Sequence, residues 1–248
     1  MKIIGVIPSR YQSSRFPGKP LADILGFPMV WWVYQQAKKS KKLDEVYVAT
    51  DDTRIENICK KYDIPVIMTE KKHENGTERL CEISEKILAD IYITIQGDEP
   101  LLEPKTIEEV LNVLQADKEI GCATLKIEYK DPVDVINGTT PKVVNDLKDN
   151  ILFFTRSPIP YPKASLSYKI YKPIGIYAFR RKTLLKYNKL EKGPLEKAED
   201  IELLRFIENG IKIKIKLTNS STIAVDTPKD LEKVIEILKK RREENENL

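Results

Sequence analysis

The sequence predicts an α/β fold, with a mostly parallel central sheet flanked by helices and a small β arm or hairpin insertion. Three observations carry this. Short apolar runs alternate with amphipathic stretches through the first half, a βαβα rhythm that places helices on both faces of a parallel sheet. The rhythm breaks after residue 128, where hairpin-like runs and a stretch rich in Pro and Ser take over. Residues 211–217 (IKIKIKL) alternate strictly, the period of a half-buried strand with its lysines in water.

The elements follow in order. Residues 2–8 (KIIGVIP) form a buried first strand, and 28–40 a helix opening at Pro28. Residues 45–50 (EVYVAT) are a strand, 52–62 a helix capped by Asp52, and 64–68 a short strand. A helix over 77–89 takes Thr77 as its cap and leads to a buried strand at 91–95. Pro104 opens a helix to about Ala116, and 121–127 (GCATLKI) is the next strand. Segments 141–147 and 150–155 pair as a hairpin around Asp149-Asn150, and 157–170 is a long loop. Then come a strand at 171–179, helices near 181–187 and 196–208, the strand at 211–217, and a final helix from Pro228 to about Arg242. No repeat, low-complexity segment or linker divides the chain, so residues 1–248 read as a single domain. Residues 128–170 are a candidate arm or subunit contact within it.

Composition narrows the function. The chain is 41% hydrophobic and 32% charged, the balance of a globular domain. A net charge of +4, from 42 basic and 38 acidic residues, is a mixed surface that argues against nucleic acid as a partner. No apolar run approaches the roughly 20 residues that span a bilayer, and the apolar start is too short for a signal-peptide core. A cytoplasmic chain with no membrane partner is expected. The odd cysteine count (Cys59, Cys81, Cys122), without C-x-x-C spacing, reads as small buried hydrophobes rather than disulfides or a zinc site.

Open parallel sheets bind ligands beyond the carboxyl ends of their strands, and polar clusters fall there. After the first strand comes Pro8-Ser9-Arg10-Tyr11-Gln12-Ser13-Ser14-Arg15-Phe16-Pro17-Gly18-Lys19-Pro20. Its cations, hydroxyls and glycine suit a phosphate chain, although a solvated loop has the same composition. It matches neither a Walker A loop nor G-x-G-x-x-G. Gln96-Gly97-Asp98-Glu99-Pro100 ends another strand with a carboxylate pair, which can hold Mg²⁺ or simply form a polar turn. In Val225-Asp226-Thr227-Pro228 the acid is either a second such carboxylate or an ordinary helix cap before Pro228. His73 through Arg79 leads into a helix whose start, with Gly76, allows close backbone approach by an anion or a base. His73, the single histidine, is more economically a structural hydrogen-bonder than a general base.

Taken together, these segments resemble the 3-deoxy-manno-octulosonate (KDO) cytidylyltransferases, the CMP-KDO synthetases. The resemblance runs from Ile4 to about Ile237 and rests on motifs in order: Pro8-Ser9-Arg10 with Ser13 to Leu21, Val48 to Asp52, His73 with Gly76 to Leu80, and Gln96 to Pro100. Gly175-Ile176-Tyr177, Pro194-Leu195-Glu196 with Glu199, and Val225 to Pro228 complete the set. It departs at Pro173, where the family often has His, and at Ser9, often Ala.

The resemblance implies a Rossmann-like, nucleotidyltransferase-type sheet and a homodimer. It implies transfer of CMP from CTP to KDO, with release of pyrophosphate, in lipopolysaccharide synthesis. Arg10, Lys19, Asp98 and Asp226 would form the reacting centre, and Asp98 and Asp226 would hold Mg²⁺. Pro8, Ser13, Ser14, Arg15, Gly76 and Thr77 would complete the nucleotide site. Arg79, Gln96, Tyr177, Glu196 and Glu199 would face the sugar acid, with Arg79 on its carboxylate because a guanidinium binds carboxylate bidentately. A CMP-sialic acid synthetase-like enzyme shares the early Arg-rich loop, and a non-catalytic nucleotide-binding module is the reading from a different class.

Overall fold

The computed structural model describes residues 1–13, 15–164, 167–220 and 223–246. The chain opens with β1 (Ile3–Ser9), a 3-10 turn (Lys19–Leu21) and a short ribbon of β2 (Asp23–Ile24) and β3 (Phe27–Pro28). Then α1 (Met29–Lys38), β4 (Glu45–Thr50), α2 (Thr53–Lys61), β5 (Val66–Met68), α3 (Gly76–Lys86), β6 (Ile91–Thr94), α4 (Pro104–Gln115) and β7 (Cys122–Glu128) alternate as the periodicity predicts. The second half holds α5 (Pro132–Ile136), the hairpin β8 (Lys142–Asn145) and β9 (Ile151–Thr155), and β10 (Tyr171–Arg180). It ends with α6 (Arg181–Tyr187), α7 (Pro194–Glu199), α8 (Leu204–Glu208), β11 (Ile213–Leu217) and α9 (Pro228–Glu246).

Among the described residues the main sheet has nine strands, with the path β11-β7-β10-β6-β1-β4-β5 and the β8–β9 hairpin attached to β10. β1 pairs in parallel with β4 on one side and β6 on the other. β4–β5 and β11–β7 are also parallel, and β10 runs antiparallel between β6 and β7. The sheet is therefore mixed and mostly parallel. Strands buried on both faces need no alternation, and Ile3, Ile4, Val6 and Ile7 of β1 are all buried.

One core lies between the sheet and α1, α2 and α4, and a second between the sheet and α3, α6 and α8. In α4 the spacing of Ile107, Val110, Leu111 and Leu114 makes one apolar stripe, and all four are buried. Truncating Leu111 to Ala there would cost about 2–5 kcal/mol.

Most element ends shift by one to three residues from expectation, and three differences stand out. Asn75, not Thr77, caps α3: its side chain accepts from the Glu78 amide, and Thr77 is already inside the helix. The helix expected over 196–208 is two, because Asp200 adopts a left-handed conformation (φ 51°) at the end of α7. The final helix continues past Arg242 to Glu246.

Candidate active site

From β1 the chain first moves to one side of the sheet, through β4 and β5, and then crosses back to place β6 on the other side of β1. That is a topological switch point, and a crevice opens there at the carboxyl ends. A cleft of ≈ 370 Å³ lies above it. Pro8, Arg10, Ser13, Arg15 and Lys19 line one wall, and Gln96, Gly97 and Asp98 from the end of β6 line the other. The two strand ends approach closely: a Cβ on Gly97 would sit 2.7 Å from the Pro8 carbonyl oxygen, so the site requires glycine. Ser14, also expected here, lies outside the described residues.

Asp226 arrives from far along the chain by a backbone tie. The Val225 amide donates to the Asp98 carbonyl at 2.8 Å, which lays residue 226 against the end of β6. The alternative of a helix cap falls to its neighbour. The Thr227 hydroxyl accepts from the Asp230 amide at 3.4 Å, and the Asp230 carboxylate accepts from the Thr227 amide at 3.0 Å, a reciprocal cap with Pro228 at the first helical position. The Asp226 carboxylate is thereby not used as a cap and faces the cleft. Lys19 Nζ lies 2.6 Å from Asp98 Oδ2 and 3.5 Å from Asp226 Oδ1, and Arg15 donates to Asp226 at 2.8 Å. Two carboxylates thus converge on a single ammonium. Behind them Glu99 is buried, and desolvation followed by the charge of Asp98 pushes its carboxyl up to about 8.

The loop between β5 and α3 forms the end wall. Asn75 and Gly76 line the cleft, and Arg10 donates to the His73 carbonyl. His73 is held in turn by Glu82, whose carboxylate also accepts from the Glu70 amide at 2.9 Å and pairs with Lys86 at 2.6 Å. Burial opposes ionisation of Glu82, but the bonds from Lys86, the Glu70 amide and His73 outweigh it and hold the carboxyl at about 2.

Two of the expected site residues lie behind the cleft wall in this structure. Thr77 is fully buried, and its amide donates to Glu202 at 2.9 Å, so it lies behind the wall. Arg79 is also fully buried and pairs with Thr69 and, at 3.3 Å, with Asp51. A guanidinium with no accessible surface acts here as a strut tying the starts of the turns after β4 and β5 to the first turn of α3, and it lines neither cleft.

A second cleft of ≈ 380 Å³ adjoins the first and shares Glu74, Asn75, Gly76 and Gln96 with it. Gln96 enters because Gly175 lacks a side chain: a Cβ there would sit 2.6 Å from Gln96 Cγ, at the irregularity in β10 between Pro173 and Tyr177. Tyr177 lines this cleft, and burial, then Glu202, raise its phenol, keeping it a neutral hydrogen-bonding group.

The two remaining glutamates are already engaged. Glu196 borders the cleft but is 2% exposed, and both its oxygens take Arg205 at 2.7 Å. Arg205 also reaches Glu78 at 2.9 Å. Glu199 is turned away, accepting from Thr155 at 2.5 Å and the Arg156 amide at 2.8 Å. Both work as anchors of α7, because their lone pairs are occupied from within the fold. A larger cleft of ≈ 820 Å³, lined by Met1, Lys2, Asp90 and Arg180 among others, lies away from these residues.

A family model described as cytidylyltransferase matches residues 4–213. A 3-deoxy-manno-octulosonate cytidylyltransferase of Fusobacterium nucleatum is 44% identical over 240 residues, covering 96% of this chain and 98% of that one. The chain belongs to the 3-deoxy-manno-octulosonate cytidylyltransferase family. An Escherichia coli member is 41% identical, covering 98% and 99% of the two chains. A solved structure of CMP:2-keto-3-deoxy-manno-octonic acid synthetase complexed with CTP superposes with a TM-score of 0.92 at 41% identity, over 97% of this chain and all of that one. A cytidylyltransferase from Leptospira borgpetersenii, at 18% identity and TM-score 0.61, shares the fold alone.

Membership in this cytidylyltransferase family raises the question of a metal. The donor set fits Mg²⁺, which takes one or two protein carboxylates and fills its remaining positions with water and phosphate oxygens. Asp98 and Asp226 already share a cation, the Lys19 ammonium, and no group of three or more His, Cys, Asp or Glu suited to a metal occurs among the described residues.

Several neighbours of the site were not singled out from the sequence. Asn75 could have been found from its place before Gly76 as a cap residue. Lys192, Glu202, Arg205 and Arg156 carry no local signal, since only the folding of α7 and α8 against α3 gives them meaning.

Proposed function

We propose that the protein transfers CMP from CTP to 3-deoxy-D-manno-octulosonate, releasing pyrophosphate and activating the sugar acid for lipopolysaccharide synthesis. One observation carries this reading. Two adjoining clefts share a wall, and one of them holds three cations around a converging carboxylate pair. That relatives of this length and similarity carry the name supports it.

The triphosphate lies along Arg10, Ser13, Arg15 and Lys19, with Pro8, Gly76 and Asn75 beside the nucleoside. The anomeric hydroxyl of the acid, held near Gln96 and Tyr177, attacks the α-phosphorus. The new oxygen–phosphorus bond forms as the bond to the β-phosphate breaks. Charge accumulates on the leaving pyrophosphate, where Lys19 and Arg10 offset it, so catalysis is mainly positioning and electrostatics. Mg²⁺, held by Asp98 and Asp226, would supply Lewis-acid stabilisation of phosphate charge. Arg15 and Lys19 exchange their carboxylate partners for phosphate oxygens when the nucleotide enters.

The active form we propose is a cytoplasmic homodimer. The 128–170 segment carries exposed Val133, Ile136, Leu147, Leu152, Tyr161 and Tyr168, apolar surface that a second copy would cover. Light scattering coupled to gel filtration tests this, and a monomer at micromolar concentration rejects it. The reaction is tested by a pyrophosphate-release screen over nucleotides and sugar acids with Mg²⁺. Release with CTP and KDO is expected. Preference for a sialic acid would favour the sister activity, and CTP binding without release would reject catalysis.

A further inference from the structure

A sugar acid brings a carboxylate into the second cleft, and that cleft is otherwise acidic. Glu74, Glu196, Asp200 and Glu202 all border it, and Lys192 is the single cation among its described lining residues. Four other cations on the surrounding elements are committed elsewhere. Arg79 is sealed from solvent, and Arg205 holds Glu196 and Glu78. Arg156 spends Nε on the Glu199 carbonyl at 2.6 Å, one terminal nitrogen on Gly138 and Thr139, and the other on Asp200. Lys142 is fully buried and donates to the carbonyls of Asn137, Thr140 and Arg156 at 2.6, 3.0 and 2.9 Å.

Lys192 differs from all of these. Its side chain is 30% exposed, and its ion partner, Glu74, is 65% exposed. Exposed pairs are weak because water screens them, so exchanging Glu74 for another carboxylate costs little. The bond to Glu74 also raises the lysine's pKa and keeps it charged. Lys192 immediately precedes Gly193, the cap of α7, so the anchored helix places its side chain at the cleft.

We propose that Lys192 binds the carboxylate of the sugar acid, leaving Glu74 to do so, and thereby sets the requirement for an acidic sugar. The inference rests on the assignment of the second cleft to KDO.

The test is steady-state pyrophosphate release by full-length Lys192→Met and Lys192→Arg proteins, with KDO varied at saturating CTP. Lys192→Met is expected to raise KM for KDO about tenfold, equivalent to about 1.4 kcal/mol, with kcat and the KM for CTP within about twofold of wild type. Lys192→Arg is expected to stay within about threefold. Added salt should raise the wild-type KM for KDO and leave that of Lys192→Met nearly flat. A KM unchanged in Lys192→Met, with wild type turning over KDO, overturns the inference and leaves the reaction standing. Equal rises in both KM values also overturn it, as a structural effect. No release by wild type with KDO would instead reject the underlying assignment.

Discussion

Replacing Arg205 by Met probes what holds the second cleft in shape. The guanidinium gives two 2.7 Å bonds to Glu196 and one of 2.9 Å to Glu78, and it stacks over Tyr187 at 4.3 Å. Methionine keeps most of the packing and removes the charge. Glu78 retains the Glu74 amide at 2.8 Å and Asn75 at 3.3 Å, so the cost falls mainly on Glu196, which is 2% exposed. Removing one partner of a buried pair costs about 3–5 kcal/mol, because the other charge stays desolvated. Unfolding entropy of about 2.1 cal/mol/K per residue gives roughly 0.5 kcal/mol/K for this chain, so a loss of about 4 kcal/mol lowers Tm by about 8 °C. Scanning calorimetry reads this directly. The double variant Arg205→Met, Glu196→Leu should recover most of the loss, since it leaves no buried charge. A drop below about 2 °C, or no recovery in the double variant, would refute the argument that Glu196 depends on this partner.

Other outcomes follow from the same structure. If Asp98 holds Mg²⁺ as proposed, Asp98→Asn should lower kcat at least about a hundredfold with Tm nearly unchanged, because the side chain is half-buried at a loop and its change removes a carboxylate charge from the cleft; stopped-time pyrophosphate assays and calorimetry check both halves. Glu82 has a folded-state pKa of about 2, below its ordinary 4.5, so its stabilisation is present above about pH 4.5 and is lost as pH falls toward 2. Glu82→Gln should therefore destabilise by up to about 3 kcal/mol at pH 7, with the gap to wild type closing by about pH 2 in denaturant titrations. Cys59, Cys81 and Cys122 are buried, and burial raises each thiol, the first two to about 12. The native protein should be inert to a thiol reagent that labels all three after denaturation.

Periodicity made the first half of the fold legible. Apolar runs such as EVYVAT and IYIT coincide with β4 and β6, and Asp52 and Pro104 mark helix starts. The direction of β10 was not legible, because an antiparallel strand between two others depends on how residues 128–170 return and not on its own sequence. Within the site, the loop from Pro8 to Lys19 and the Gln96–Asp98 turn could be placed by the rule for open sheets. Arg79, Glu196 and Glu199 could not. A charged residue in a motif looks the same whether it faces a ligand or a buried partner, and only Asp51, Arg205, Thr155 and Arg156 decide it.

The tie between the Val225 amide and the Asp98 carbonyl has a bearing on biosynthesis. Asp226 lies beyond the 4–213 stretch that the family model matches, in the last tenth of the chain. A ribosome-bound chain can lay down β1, β6 and the whole cation loop and still lack its second carboxylate. The carboxylate pair around Lys19 is complete only when residue 226 has emerged and Val225 has docked on Asp98, so under the proposed function a chain cut before that point would keep its cation-rich loop yet turn over no substrate.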